Sequence, residues 1–425
     1  MRTRPNPLLL LVGVGFLGWG DFLSYGLYSP TGLRLVAAGC LALGLAAAVS
    51  DPAPAFRSVL LPLAVGILVV WQGEVLVRAT TYYGSGHWLG DARYLSIAGP
   101  TVGVAAVVAT GRAAGWWWRA VVLLFGLGAI ATILASPRPA IDVWYLIQHA
   151  SSCVVDGCNP YAMHTPASPG VTEGFNYLPM TAVLMVPFHV LFADVRYGEV
   201  AAIVVAAVAV RRIAGVERAK LAPLFLCVPG LFFQVEQAWN ESLLVALLLG
   251  AVWAVSNGAD ARRQWLTSGV LLGLALGTKQ HAWLLLPVAA FTLGMRAAIT
   301  GAVVGVLSVV PWFVADPSAF WRDTVTTFTD IEPRIDATTL WLHESAHTQT
   351  ALAIVVVALA LVLAWVSCRG HPKRFLFGAA LVLAAFDLMN KQSFYNQWAL
   401  VIWLAIAAAA IEHAAVSVVR REVMT

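Results

Sequence analysis

Charge in this 425-residue chain is confined to short gaps between long apolar runs. The runs are roughly 17–22 residues long, enough to cross a hydrocarbon core of about 30 Å as helix. Only 11% of the residues are charged and 60% are hydrophobic, against about 25% charged in an ordinary soluble domain. The runs do not alternate polar with apolar, as a membrane β-barrel requires. The pattern predicts an all-α, polytopic integral membrane protein. Candidate spans are 8–28, 32–49, 57–77, 94–110, 119–135, 197–213, 220–236, 241–256, 264–278, 281–296, 298–315, 349–367, 374–390 and 395–417. The first is long and has no clear small-residue cleavage site, so it reads as a retained helix and not a signal peptide. The formal charge of +4 points to no particular partner and gives no reason to expect nucleic acid.

One further apolar stretch, 178–193, is left out because of where the basic residues fall. Cytoplasmic loops are enriched in Lys and Arg. Placing Arg2 and Arg4 inside puts Arg57, Arg112 and Arg119 inside too. If 178–193 crossed the bilayer, Arg211, Arg212, Arg218 and Lys220 would lie outside, and every later basic loop would be misplaced. As an interfacial helix, carrying Pro179 and Pro187, it leaves Arg262/Arg263, Arg296, Arg369/Lys373/Arg374 and Arg420/Arg421 all cytoplasmic. Both termini are then cytoplasmic. Segments 79–93, 136–196, 237–240, 279–281, 316–348 and 391–394 lie on the outer side. Trp116–Trp118 beside Arg119 reads as an interfacial aromatic belt.

This topology gathers the chemically capable residues on one side: Asp142, Glu236, Asn240, Lys279, His281, His343, His347 and Lys391. Asp142, at the outer end of the fifth span, opens a long external loop and can act as a general base toward a hydroxyl; pairing with Arg138 is the structural alternative. Lys279-Gln280-His281 and Lys391-Gln392 sit at outer helix ends, where two cations suit a lipid-borne phosphate. Snorkelling to headgroups is the competing reading, and Asp387 is a possible ion-pair partner for Lys391. Asn396 and Gln397 could add hydrogen bonds. Glu236 and Asn240, four apart on one helical face, could bind sugar hydroxyls together with Glu241, or simply form a solvated helix end. His343-Glu344-Ser345-Ala346-His347 matches the zincin spacing literally, but a third ligand is missing; a sugar or phosphate contact or a solvated loop fits better, and no metal is expected. Cys153 and Cys158 share the external loop, and a disulfide follows if that side is oxidising; zinc would need two more ligands. Cys40, Cys227 and Cys368 read as small buried hydrophobes.

Several of these residues fall in short motifs: Asp142-Val143-Trp144-Tyr145, Gly157-Cys158-Asn159-Pro160-Tyr161, Asn176-Tyr177-Leu178-Pro179, Gly273-Leu274-Ala275-Leu276-Gly277-Thr278-Lys279-Gln280 and Asn390-Lys391-Gln392. Over about residues 136–400 the chain resembles the GT-C superfamily of membrane glycosyltransferases, most closely glycosyltransferase family 87, which includes polyprenyl-phosphate-mannose-dependent mannosyltransferases and related arabinofuranosyltransferases. The resemblance implies that Asp142 is the base. Tyr145, Asn159, Tyr161 and Tyr177, which lie in these motifs, join Glu236, Asn240, His343, His347 and Asn396 as candidate sugar or acceptor contacts. The chain departs from the family in carrying four helices ahead of the acid-bearing segment and in the Cys153/Cys158 pair.

The expected organisation is a four-helix N-terminal module, 1–118, and a GT-C-like core, 119–425, with external loops 136–196 and 316–348. The expected function is transfer of a mannose- or arabinofuranose-class sugar from a polyprenyl-phosphate donor to a glycolipid, polysaccharide or protein acceptor, in cell-envelope synthesis at the outer face of the plasma membrane. The lipid-linked sugar is substrate, and no cofactor is expected. A lipid-linked-sugar transporter or flippase is the main alternative; it would place charges deep in spans and show pseudo-symmetric halves. A membrane zinc protease is the lesser one.

Overall fold

The computed structural model describes residues 4–49, 58–163, 174–257, 260–341 and 346–424, and among them it is helical with no strand. The main helices are α1 (Pro7–Phe22), α2 (Pro30–Ala48), α3 (Leu60–Val77), α4 (His87–Val108), α5 (Gly111–Ala135), α6 (Asp142–Val155), α7 (Met180–Phe192) and α8 (Arg196–Ala214). They continue with α9 (Leu231–Glu236), α10 (Glu241–Asn257), α11 (Ala261–Leu276), α12 (Leu286–Thr292), α13 (Met295–Ala315), α14 (Ala346–Cys368), α15 (Phe375–Leu388) and α16 (Tyr395–Met424).

Local sequence sets the starts. The Asn6 side chain accepts from the amides of Leu8 and Leu9 at 3.0 and 3.3 Å, with Pro7 at the first helical position. Ser29 caps α2 in the same way through Gly32, followed by Pro30. Small residues then allow backbones to touch. A Cβ on Gly13 would stand 3.2 Å from the Gly39 carbonyl oxygen, and one on Gly273 would stand 2.8 Å from that of Gly301. These close approaches lock α1 to α2 and α11 to α13.

Among the described residues, six helices are long and apolar enough to cross a membrane. Their burial differs in a way that orders the bundle. The best apolar window of α16 is 89% buried, whereas those of α13 and α14 are 22% buried. Helix α16 is therefore the central post, and α13 and α14 turn apolar faces outward. Residues of α1, α3 and α5 share one continuous core with α8, α10, α15 and α16.

Two of the expected spans are not continuous helices. Segment 220–236 is a 3-10 turn at Ala222–Leu226, a break at Pro229 and left-handed Gly230 (φ 73°), and the short α9. Segment 281–296 is a 3-10 turn at Gln280–Leu285, then α12, then a break at Gly294 (φ 102°) before α13. Proline without an amide hydrogen and glycine in the left-handed region interrupt the ladder in the first; glycine alone ends the second. The first segment still runs the length of α4. Lys220 Nζ donates to the Ala109 carbonyl at one end of α4, while Glu236 receives the amides of Tyr82 and Tyr83 near its other end.

The segment beginning at Asp142, expected as a long external loop, takes another form. Asp142 is not at the end of α5, which stops at Ala135, but opens a separate 14-residue helix. Leu146, Ile147, Ala150, Ser151 and Cys153 are buried on one face, an amphipathic repeat too short to register among long apolar runs. Cys153 at its end is disulfide-bonded to Cys158. Segment 178–193 forms α7, whose 13 residues span only about 20 Å at 1.5 Å per residue, and α7 packs on α6 through Ser151 Oγ to the Ala182 carbonyl at 3.1 Å.

The bundle thus has two chemically different ends. At one, the Arg211 guanidinium lies 5.2 Å from the Trp118 ring centroid and Lys373 Nζ donates to the Ile213 carbonyl at 3.0 Å. At the other, Tyr28 pairs with Asp336, Leu178 with Thr278, and Arg334 with Lys391 through backbone hydrogen bonds of 2.7, 3.1 and 3.2 Å.

Candidate active site

The second end encloses a cavity of about 820 Å³. Its walls come from the turns that the charge argument placed on one side: the ends of α1 and α3, the start of α6, the approaches to α7 and α10, the turn after α11, segment 324–334 and the α15–α16 turn. Of the expected site residues, Asp142, Tyr177, Lys279, Gln280, His281, Lys391, Gln392 and Asn396 all line it.

Asp142 is the only carboxylate among the described residues on this wall. It begins α6, where its Oδ1 accepts the Val143 amide at 2.8 Å, in the field of the helix N-terminus. Burial nevertheless pushes its carboxyl above the ordinary aspartate range, offset in part by that amide and by the positive charge of Arg334. It makes no ion pair with Arg138 among the described contacts. Tyr83 and Tyr177 share the wall with it, and each phenol is held up in pKa by burial first and by Asp142 among nearby acids.

The cations are placed differently from one another. Lys279 does not snorkel: it is 7% exposed, forms a buried ion pair with Glu241, and lies with Nζ 5.5 Å from the Tyr177 ring centroid. Asn396 Nδ2 donates to the same Glu241 oxygen at 2.6 Å. Lys391 Nζ donates to the carbonyls of Thr329 and Ile331 at 2.9 and 3.3 Å, with no ion pair to Asp387. Gln280 Nε2 ties Asn176 and Thr324 carbonyls together at 2.9 and 3.2 Å, and His281 faces Phe386.

The remaining expected contacts lie off the cavity. Glu236 is fully buried and holds the Tyr82 and Tyr83 amides at 2.6 and 2.9 Å. It does not share a helical face with Asn240, because α9 ends at Glu236 and Ala238 turns left-handed (φ 55°). Asn240 is buried and donates to Thr181 Oγ1 at 3.0 Å. Asn159 caps the turn at Pro160–Ala162, and Tyr161, also fully buried, donates to the Tyr177 carbonyl at 2.8 Å. Tyr145 stacks on His149. His347 is exposed at the start of α14, and His343 lies outside the described residues. No group of three His, Cys, Asp or Glu able to hold a metal occurs among the described residues.

Several further wall residues carry no distinguishing pattern in the sequence. Arg334 lines the cavity, as do Gln237, Tyr82 and Tyr83. Asn176 Oδ1, Gln237 Nε2 and Gln392 Nε2 are buried with no hydrogen-bond partner among the described residues, so side chains of this wall carry amide groups left without an internal partner. A second, nearly apolar groove of about 320 Å³ runs along α13 past Val306, Val310 and Phe313. It shares Gln280, Thr324 and Val325 with the polar cavity.

The sequence profile of glycosyltransferase family 87 matches residues 175–390, slightly more than half of the chain. Searches of curated proteins and of solved structures found no match. Lys391 directly follows the matched residues and Asp142 lies well before them, yet both line the same cavity as the matched Tyr177, Lys279, Gln280 and His281.

Proposed function

Because the chain belongs to glycosyltransferase family 87, we propose that it transfers a sugar, of the mannose or arabinofuranose class, from a polyprenyl-phosphate donor to a glycolipid, polysaccharide or protein acceptor. The observation that carries this reading is one carboxylate set among cations and unused amides in a single cavity, joined to an apolar groove. The groove suits a lipid chain, the cationic wall a phosphate, and the amides a sugar.

In the reaction, Asp142 accepts the proton of the acceptor hydroxyl as that oxygen attacks the anomeric carbon. The bond from that carbon to the phosphate oxygen breaks, and the charge growing on the leaving phosphate is met by the cationic wall that includes Lys279 and Lys391. Half-buried Tyr177 and the aromatic wall limit water near the reacting carbon. A single displacement inverts the anomeric configuration. Product analysis with a donor of defined anomer tests this directly; a retained anomer would contradict attack assisted by one base.

The pH profile follows from Asp142. Its burial raises the folded carboxyl above the ordinary value of 3.8, and only the ionised form accepts a proton. Transfer should therefore be full at neutral pH and fall as pH drops through that raised value. A rate that held steady down to the ordinary aspartate range would remove Asp142 from the role of base.

The proposed orientation places the cavity outside and the basic end in the cytoplasm, with both termini inside. With single reporters Glu332→Cys at the cavity end and Val216→Cys at the basic end, an impermeant thiol reagent applied to intact cells should label only the first. Labelling of both, or of Val216→Cys alone, would overturn this orientation.

A further inference from the structure

Three cationic side chains line the cavity, and each is engaged in a different way. Lys279 is buried against Glu241. Lys391 spends two of its three donors on the carbonyls of Thr329 and Ile331. Arg334 is different. Its side chain is 52% exposed and forms part of the wall. Asp336 receives Nε at 2.9 Å and also Nη2, and the guanidinium lies 4.7 Å from the Phe394 ring centroid. Its backbone amide is fixed to the Lys391 carbonyl at 3.2 Å. Carboxylate, ring and backbone together fix the plane of the fork, while Nη1 donates to no group among the described residues.

A bare surface pair between Arg334 and Asp336 would contribute little and would explain none of the placement on the wall. A guanidinium held at a fixed angle with one edge open is instead suited to an anionic oxygen, because a planar fork loses little freedom on making charge-assisted hydrogen bonds. We propose that Arg334 is the principal contact for the substrate's phosphate in this cavity, with Asp336 and Phe394 as its positioning residues and Lys279 serving mainly the buried pair. This rests on the glycosyltransferase reading for the source of the phosphate, and it names a residue that reading does not require.

Arg334 also acts on the base. Its charge lowers the Asp142 carboxyl, opposing the upward push of burial, while Tyr83 and Tyr177 are the other titratable groups coupled to that acid. Arg334 thus joins the two halves of the reaction electrostatically: it meets the leaving anion and helps keep the base ionised.

The test compares farnesyl phosphate and farnesol as ligands of the purified full chain, a pair differing only in the phosphate. R334Q should weaken farnesyl phosphate binding by about 10–100-fold, the span of one charge-assisted hydrogen bond, and leave farnesol unchanged. R334K should fall between, keeping charge without the fork. The double variant K279M/E241Q, which removes no net charge, should lose far less than R334Q. In transfer assays the acidic limb of the R334Q profile should move to higher pH, since Asp142 loses a neighbouring cation; a merely structural role for Arg334 would not move it. Unchanged farnesyl phosphate affinity in R334Q, or a larger loss in the double variant, overturns the assignment. Wild-type protein that binds farnesyl phosphate through Arg334 yet transfers no sugar would support the anion contact while refuting the glycosyltransferase reading. Equal binding of farnesol and farnesyl phosphate by wild type would refute the contact itself.

Discussion

Replacing Asp142 by Asn is expected to lower sugar transfer by about 10²–10⁴-fold with donor KM nearly unchanged. Asparagine preserves the size of the side chain and its bond to the Val143 amide, so the start of α6 should survive. What it lacks is the ability to take the acceptor's proton in the transition state. An effect on kcat without one on KM identifies an interaction made only there. No other carboxylate among the described residues lines the cavity, so no neighbour can substitute. Glu236, the next acid that sidedness alone would nominate, is committed to the amides of Tyr82 and Tyr83. Near-normal transfer by the Asn variant would remove Asp142 from catalysis.

Breaking the Lys279–Glu241 pair should have the second large effect, on stability before activity. Both side chains are almost fully buried. Removing one partner by Lys279→Ala or Glu241→Ala leaves the other charge unpaired out of water, a loss of about 3–5 kcal/mol. Thermal unfolding in detergent should show both single variants well below wild type. The double replacement K279M/E241Q should recover most of the loss, because no uncompensated charge remains. Single variants as stable as wild type would mean that the pair is hydrated in solution and that Lys279 is free for substrate.

Much of this was legible in the sequence because bilayer physics is coarse. Apolar runs and the positions of Arg and Lys were enough to bring Asp142, Tyr177, Lys279 and Lys391 to one side, and the structure brings them to one cavity. What escaped depends on contacts. Helix α6 was hidden because its apolar face is short and its exposed face polar. The breaks at Gly230 and Gly294 escaped because hydropathy counts residues and ignores φ. Glu236 looked like a ligand-binding acid, yet its partners lie about 150 residues earlier. The Lys279–Glu241 pair spans 38 residues. Arg334 escaped because its place on the wall depends on a backbone bond from its amide to the distant Lys391 carbonyl. A clue was available: an arginine two residues from Asp336, in a loop already placed outside.

The four N-terminal helices were expected as an appended module. Tyr25, Tyr82 and Tyr83 from that region form part of the cavity wall, and Phe233 stacks on Tyr82 with ring centroids 4.3 Å apart. Their contribution to the site is therefore physical as well as sequential.

The central claim is tested most directly by transfer in a defined system. Purified protein in lipid vesicles would be given membrane lipid extract and a labelled sugar, presented either on polyprenyl phosphate or on a nucleotide. Label should move to an acceptor only from the polyprenyl-phosphate donor, with free polyprenyl phosphate released in equal amount, and the Asp142→Asn protein should lose that transfer. Transfer from the nucleotide donor alone, or equal transfer by wild type and Asp142→Asn, would contradict the claim.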